Sequence, residues 1–487
     1  MLSGLVSAVA TAAVIVATVP VFAGLYQFML VALSVFSTHL EHTGQELPRI
    51  SVLIPAWNES AVIATTIERL VRLDYPKDRL RIWVVDDGSD DGTPEACIEK
   101  AKRYPGRVFH LRRVAGGEGK AHTLNYGLDT LWRNDWTEAI LIMDADVIYS
   151  PSSLKRMARH FADPLVGAVT AYIKEGSRSP NLVQRFVTFE YITATGASRR
   201  AQNVLGFLAC LSGGAQLHSR ENLLAIGGQI FDDTLAEDTF TTFKTQLAGR
   251  KALFEPNALV YAEEPDSLGM LWKQRLRWAR GNVQITQVYK GLWGNRKRHA
   301  SLGSISMVVI WFSLFLMPVL QIGATVGLLM LLVLDPPLAW MLFRGFWILA
   351  GLVYLIVTAV SLAIDVESAR KSWMEGILFP GLISLAVIVT SLWPPLLTPL
   401  APFLPASGTG LHTLGLVGLY SWLSASMLVA YSAKQVEARG YQRLSSVLLL
   451  LAGYGAFLCA VTFASYIKEW QGAARTWDKT EKTGKVG

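Results

Sequence analysis

Residues 81–89 read RIWVVDDGS: an apolar run, then two carboxylates, then a glycine. A continuous apolar run is what a strand buried on both faces requires. Asp86-Asp87-Gly88 ends it in a turn that leaves acids at the strand tip. Working outward, residues 50–55 (ISVLIP), 108–111 and 139–143 (AILIM) are further short β-rich runs. Residues 60–72, 93–103 and 122–132 between them carry helical apolar spacing. This alternation predicts an α/β Rossmann-like domain with a parallel sheet covered on both faces. Ligands in such folds bind at the carboxyl ends of the strands, and the charged motifs fall at those ends.

The flanks are of another kind. Of 487 residues 51% are hydrophobic and only 17% charged, against about 25% charged in an ordinary soluble domain. No Asp, Glu, Lys or Arg occurs from residue 301 to 334, nor from 376 to 433. Residues 5–36 are apolar for more than the ~20 residues a spanning helix needs. They lack the basic start of a cleaved signal peptide, so one spanning helix is expected, with a two-helix hairpin as the alternative. Further apolar segments lie near 302–334, 339–364, 377–398, 411–432 and 444–467. The organisation expected is a polytopic membrane protein: an N-terminal transmembrane helix (1–40), an inserted soluble domain (45–270), amphipathic interface helices (271–300), C-terminal transmembrane helices (301–467) and a basic tail (468–487). Lys434, Arg439, Arg443, Arg370 and Lys371 belong inside by charge. Five clean crossings then put the C-terminus outside, whereas the basic tail argues for inside, so one segment is expected to be re-entrant, interfacial or double.

Other classes are excluded. Cys97, Cys210 and Cys459 are too few for a disulfide framework and read as small buried apolar residues. The net charge of +7 comes from dispersed basic residues, so no nucleic-acid partner is expected.

Five motifs carry chemistry. Asp87 with Asp86 ends the second strand; the same residues also make a common Asp-Gly turn. Asp144-Ala145-Asp146 ends the fourth strand, and two like charges so close call for a cation. Hard oxygens suit Mg²⁺ or Mn²⁺, and a helix cap explains only one of the acids. Residues 116–121 (GGEGKA) lead a glycine loop into a helix start at Lys120, fit for a diphosphate or simply mobile; the spacing is not that of a P-loop. Glu237-Asp238 begins a helix, where acids also serve as caps. Residues 272–278 (WKQRLRW) form an amphipathic stretch with a phosphate-matching Arg277 and a sugar-stacking Trp278, and they also suit a membrane interface.

Taken in order, residues 55–59 (PAWNE), 84–89 (VVDDGS), Asp144-Ala145-Asp146, Glu237-Asp238 and Gln274-Arg275-Leu276-Arg277-Trp278 resemble processive family-2 glycosyltransferases, the bacterial poly-N-acetylglucosamine, cellulose, chitin and hyaluronan synthases. The likeness covers about residues 47–290 and is nearest the poly-N-acetylglucosamine synthase group. Residues 476–480 (TWDKT) resemble a C-terminal cytosolic motif of related transferases. Ala236 stands where the family often has threonine, and no room remains for a cyclic-dinucleotide domain.

The resemblance implies a GT-A-type domain between transmembrane helices in the inner (plasma) membrane, facing the cytoplasm. It implies inverting transfer from a UDP-sugar, UDP-GlcNAc foremost, to a growing β-linked polysaccharide, secreted as it forms. Asp146 and Asp144 would hold Mg²⁺ or Mn²⁺; Asp87 and the backbone near Pro55 and Glu59 the uridine; Lys120 the nucleotide. Gln274, Arg277 and Trp278 would hold the diphosphate and acceptor end, and Ser212-Gly213 would underlie the acceptor sugar or form a tight turn. Asp238, with Glu237 beside it, would act as general base. A small accessory membrane subunit is a possible partner. Trp311, Trp340, Trp347, Trp393 and Trp422 would line a sugar channel or form an interfacial belt, and Arg344 would face water or snorkel. The alternatives are a UDP-glucose-dependent β-glucan synthase, a non-processive lipid glycosyltransferase, and a transporter with a nucleotide-sensing domain.

Overall fold

A computed structural model describes residues 2–34, 46–403, 409–440 and 445–474. The TWDKT motif and most of the basic tail lie outside the described residues, as does Arg443. The chain divides into two compact units. One holds the sheet and its helices within residues 30–266 and 281–307; the other holds apolar helices within residues 1–29, 267–280 and 308–473.

Among the described residues the sheet unit is built on eight strands: β1 (Ile50–Ala56), β2 (Leu80–Asp86), β3 (Val108–Arg112), β4 (Ala139–Ile142), β5 (Ile148–Tyr149), β6 (Val166–Glu175), β7 (Gln216–Ser219) and β8 (Lys251–Ala262). Their order is β3-β2-β1-β4-β7-β6-β8-β5. β3, β2, β1 and β4 run parallel, with Ala56 level with Asp86 and Leu53 level with Ile142. From β7 onward the expected all-parallel sheet gives way to a mixed one, since β7 pairs antiparallel with both β4 and β6, and β5 antiparallel with β8. The reason is the connection: β4 reaches β6 and β7 through loops and side helices rather than a regular crossover, so direction is not conserved.

The helices cover both faces of the parallel half. Ile63, Ile67 and Leu70 on helix Ile63–Val71 pack with Val52, Ile82 and Leu141 on one side. Leu124, Leu128 and Leu131 on helix Lys120–Trp132 pack with Leu53, Val85 and Ile140 on the other. Alternate residues of β1 thus enter different cores, as the period of two demands. Gly127 is required here: a Cβ would stand 2.5 Å from the Leu53 side chain.

Among the described residues four helices are long and apolar enough to cross a membrane: Ser3–Ser34, Met317–Leu334, Pro336–Ile364 and Gly410–Ala438. The first is not one smooth helix but Leu2–Val16 and Val19–Ser34, broken before Pro20, which has no N–H to continue the ladder. Leu2–Val16 packs on Met317–Leu334 through Ala10, Val14, Ala324 and Leu328. Gly327 allows the close approach, since a Cβ there would meet the Ala10 carbonyl oxygen at 2.6 Å. The chain turns from one helix into the next at Asp335, whose carboxylate accepts the Leu338 N–H at 3.1 Å and caps the second. The segment near 377–398 is the irregular one. Val366–Leu378 and Leu382–Leu392 meet at 69°, a broken span or a re-entrant loop. Arg344 donates to the Ser391 carbonyl at 3.0 and 3.2 Å, satisfying an orphan acceptor at a helix end.

Candidate functional site

The site lies at the carboxyl ends of β1, β2 and β4, where parallel strands leave their last residues beyond the sheet. β2 delivers Asp86 and Asp87. Asp86 is fully buried and accepts the Ser89 N–H at 2.9 Å, which shapes the turn. Asp87 anchors backbone on both sides: its N–H donates to the Ala56 carbonyl at 2.8 Å, and its carboxylate accepts the Gly117 N–H at 3.0 Å. Arg113 pairs with Asp87 and with Glu118. The glycine loop is thereby tied to the strand end. Gly116 has no room for a side chain, because a Cβ would fall 1.9 Å from the Asp87 carbonyl oxygen. Trp57, Asp87, Gly88, Arg112, Arg113, Val114, Gly116 and Gly117 enclose a cleft of about 610 Å³.

β1 sets the rim of that cleft. Pro55 stands level with Val85, and the Glu59 N–H donates to Thr93 Oγ1 at 2.7 Å. Asn58 takes φ +52° and exchanges hydrogen bonds with Asp90, its amide donating at 2.8 Å and its carbonyl accepting the Asp90 N–H at 3.1 Å. The left-handed turn is a conformation Asn tolerates better than most residues.

A second cluster gathers residues far apart in sequence. Lys120 opens helix Lys120–Trp132 and reaches Asp144 at 2.7 Å, Glu237 at 3.4 Å and the Gly213 carbonyl at 3.3 Å. Burial works to discharge this ammonium. Asp144 and Glu237, with Asp238, outweigh burial and hold its pKa above the ordinary lysine range. Glu237 and Asp238 form the first turn of helix Glu237–Leu247, where the helix dipole favours acids. Asp238 accepts the Thr239 N–H at 2.7 Å.

Ser212-Gly213-Gly214 runs between these acids. A Cβ on Gly213 would stand 3.3 Å from an Asp238 oxygen, and one on Gly214 would stand 3.2 Å from an Asp144 oxygen and 2.9 Å from Val147. Each glycine leaves a space beside a carboxylate that a side chain would fill. Asp146 is half-buried two residues past Asp144. Among the described residues no group of three or more His, Cys, Asp or Glu side chains is arranged to hold a metal by itself. Asp144, Asp146 and the cradle at Gly214 fit an ion that takes its remaining oxygens from a phosphate ligand, the usual arrangement for Mg²⁺.

The structure therefore brings Lys120, Asp144, Ser212, Gly213, Glu237 and Asp238 together, with Pro55, Glu59 and Asp87 around the neighbouring cleft. Gln274, Arg277 and Trp278 fall in the apolar unit, on helix Leu268–Val288. There Arg275 lies 4.2 Å from the Trp278 ring and pairs with Gln274, and Trp278 is 37% exposed. Two residues escaped the sequence reading. Arg113 looks like any charge after a strand, and Arg199, which donates to the Ser212 hydroxyl, looks like any surface helix arginine. Cys97 and Cys459 are buried as expected. Cys210 is only half-buried and its thiol donates to the Leu211 carbonyl at 2.8 Å.

Residues 48–281 match a family model described as Glycosyltransferase like family 2. The chain is 29% identical to the probable glycosyltransferase YdaM of Bacillus subtilis over 337 residues, which is 67% of this chain and 77% of that protein. It is 31% identical to the poly-β-1,6-N-acetyl-D-glucosamine synthase of Staphylococcus aureus over 242 residues, 49% of this chain and 56% of the synthase. The chain thus spans little more than half the length of the staphylococcal synthases it matches. A mannosyltransferase from Pyrobaculum calidifontis, solved with GDP-Man and Mn²⁺, superposes with a TM-score of 0.54 at 21% identity, covering 80% of this chain and 99% of that one. That likeness is one of fold, and it is of GT-A type. Strand order, the acids at the strand ends and the matched model agree, and residues 48–281 form a domain of the glycosyltransferase family 2 type.

Proposed function

We propose that this glycosyltransferase polymerises a β-linked polysaccharide by inverting transfer from a UDP-sugar, with UDP-GlcNAc the first choice, and that it does so from the cytoplasmic side of the plasma membrane. The observation that carries the reading is the convergence of Lys120, Asp144, Gly213 and Asp238 from four separate stretches of chain. A nucleotide-sensing transporter has no use for a carboxylate poised beside a glycine-lined space.

In this reading the cleft of Asp87 and Arg113 takes the uridine, and Asp87 together with the backbone near Pro55 and Glu59 fixes it. The diphosphate lies toward Lys120 and Asp144. Mg²⁺ or Mn²⁺ bound by Asp144 and Asp146 would neutralise the leaving diphosphate, a contribution of several kcal/mol to the barrier. Lys120 exchanges part of its interaction with Asp144 for the phosphate oxygens. Asp238 takes the proton from the acceptor hydroxyl as that oxygen attacks the anomeric carbon, and general-base help of this kind contributes roughly 10²–10⁴-fold. Glu237 holds Lys120 in place. Ser212 and Gly213 form the floor under the acceptor, and the family resemblance assigns Gln274, Arg277 and Trp278 to the diphosphate and acceptor end. The apolar helices keep the enzyme in the bilayer and offer the polymer a route that hydrocarbon denies it.

The test is turnover and product size. Purified protein in detergent with Mn²⁺ is given UDP-GlcNAc, UDP-glucose or UDP-glucuronate. UDP release with a ladder of oligomers from UDP-GlcNAc supports the reading. A single sugar added to a lipid supports the non-processive alternative, and nucleotide binding without UDP release from any donor refutes catalysis.

A further inference from the structure

The reaction as described leaves one cation of the site without a task. Arg199 lies on helix Ser198–Val204 and donates from Nη1 to the Ser212 hydroxyl. Burial holds its pKa down, and the Asp238 carboxylate opposes that by favouring its charge. Just before it the chain makes a π-helical turn, Tyr191–Ala197. Such turns shift the register of the following helix and cluster at functional sites. Gly196 sits in that turn against the Tyr172 hydroxyl, where a Cβ would stand 2.9 Å away.

Ser212 is otherwise fixed by backbone. Its N–H donates to Thr170 Oγ1 at 3.0 Å, its carbonyl accepts the Ala215 N–H at 2.9 Å, and the Thr170 hydroxyl donates to the Ala215 carbonyl at 2.8 Å. A serine hydroxyl has one proton and two lone pairs. With a guanidinium donating to one lone pair, the Ser212 proton is left to donate outward, and charge-assisted donation to the oxygen makes that proton a better donor. The neighbouring residue Gly213 borders Asp238.

Resting on the transfer reaction proposed above, we infer that Arg199 is a positioning residue: it aims and polarises the Ser212 hydroxyl so that this hydroxyl seats an acceptor-sugar oxygen against Asp238. Arg199 itself touches neither donor nor acceptor. Arg200, its neighbour, has a different task, since it donates to the Gly196 carbonyl at 2.6 Å and lies 5.6 Å from the Tyr172 ring.

The experiment uses the full chain in detergent with UDP-GlcNAc and Mn²⁺, and compares Arg199→Met, Arg199→Lys, Ser212→Ala and the double variant Arg199→Met with Ser212→Ala. The readouts are kcat, donor KM, UDP affinity by calorimetry and the thermal midpoint. Arg199→Met should lower kcat by at least about tenfold, with donor KM and UDP affinity within about twofold of wild type, the signature of an interaction needed for chemistry rather than donor binding. Arg199→Lys should recover part of the loss. The double variant should be no slower than the slower single variant, because the two residues act as one unit. Unchanged kcat in Arg199→Met, parallel loss of UDP affinity and thermal midpoint, or losses that multiply in the double variant would each overturn the inference. Should Arg199→Met fail to fold, Arg199→Lys with Ser212→Ala carries the same comparison. A wild type that turns over no donor overturns the transfer reading itself, whereas an active wild type beside an equally active Arg199→Met overturns the positioning role alone.

Discussion

Replacing Lys120 with methionine keeps the apolar stem and deletes the charge that holds the acid cluster together. The wild-type ammonium is 10% exposed and bonds Asp144 at 2.7 Å; Asp144 is 39% exposed and Glu237 16%. A hydrogen bond between charged groups contributes about 1.5–3 kcal/mol. The exposure of Asp144 puts its pair at the low end of that range. The looser contact to Glu237 is drier, and its loss leaves a largely buried carboxylate without its ammonium partner. The two together come to roughly 3 kcal/mol, at the lower edge of what breaking a buried pair costs. For a unit of this size each kcal/mol moves the midpoint by about 2–4 °C, so Lys120→Met should melt roughly 6–12 °C below wild type without metal. Freed of the ammonium, Asp144 with Asp146 should bind Mn²⁺ more tightly than in the wild type, and added Mn²⁺ should return most of the lost midpoint. Fluorescence-monitored melting in detergent at one scan rate, over a Mn²⁺ series, measures both effects. A midpoint within about 2 °C of wild type, or a deficit that Mn²⁺ leaves unchanged, would refute the claim that Lys120 is the counter-charge of this cluster.

Two further outcomes follow from the same geometry. Asp87→Asn keeps an acceptor for the Gly117 N–H but drops the charge paired with Arg113; UDP affinity by calorimetry should fall at least about tenfold, and the thermal midpoint should fall as well because Arg113 loses a buried ionic partner. His218 is wholly buried, and burial lowers its pKa to about 3. Its folded value lies below its unfolded value of about 6.5, so the stability it allows is complete above about pH 6.5 and is lost as pH falls toward 3. The loss should reach about 2 kcal/mol at pH 5. His218→Asn should flatten that slope of midpoint against pH, and an unchanged slope would show that other groups carry it.

The parallel half of the fold was legible because buried parallel strands are unbroken apolar runs. ISVLIP, RIWVV and AILIM each fall within one or two residues of β1, β2 and β4. The mixed half was not. β7 reads Gln-Leu-His-Ser, and β8 contains Pro256 and pairs with β6 through a register irregularity between Ala171 and Tyr172. Such strands give no clean period, and their partners are set by tertiary packing. The acids of the site were legible as types at strand and helix ends. Their pairing with Lys120 was not, since a lysine after a glycine loop says nothing about Glu237, which lies more than a hundred residues on. Arg199 left no trace in the sequence because its meaning comes from a π-helical turn and a serine across the fold. The apolar segments showed where helices would be, while Gly381 and Pro380 broke one of them into a bent pair.

The most direct test of the account is the fate of Asp238→Asn in a transfer assay with UDP-GlcNAc and Mn²⁺. The asparagine preserves shape and the acceptor for the Thr239 N–H but cannot take a proton. The account predicts UDP affinity and thermal midpoint close to wild type, with transfer slowed by roughly 10²–10⁴-fold. Transfer at the wild-type rate would contradict it.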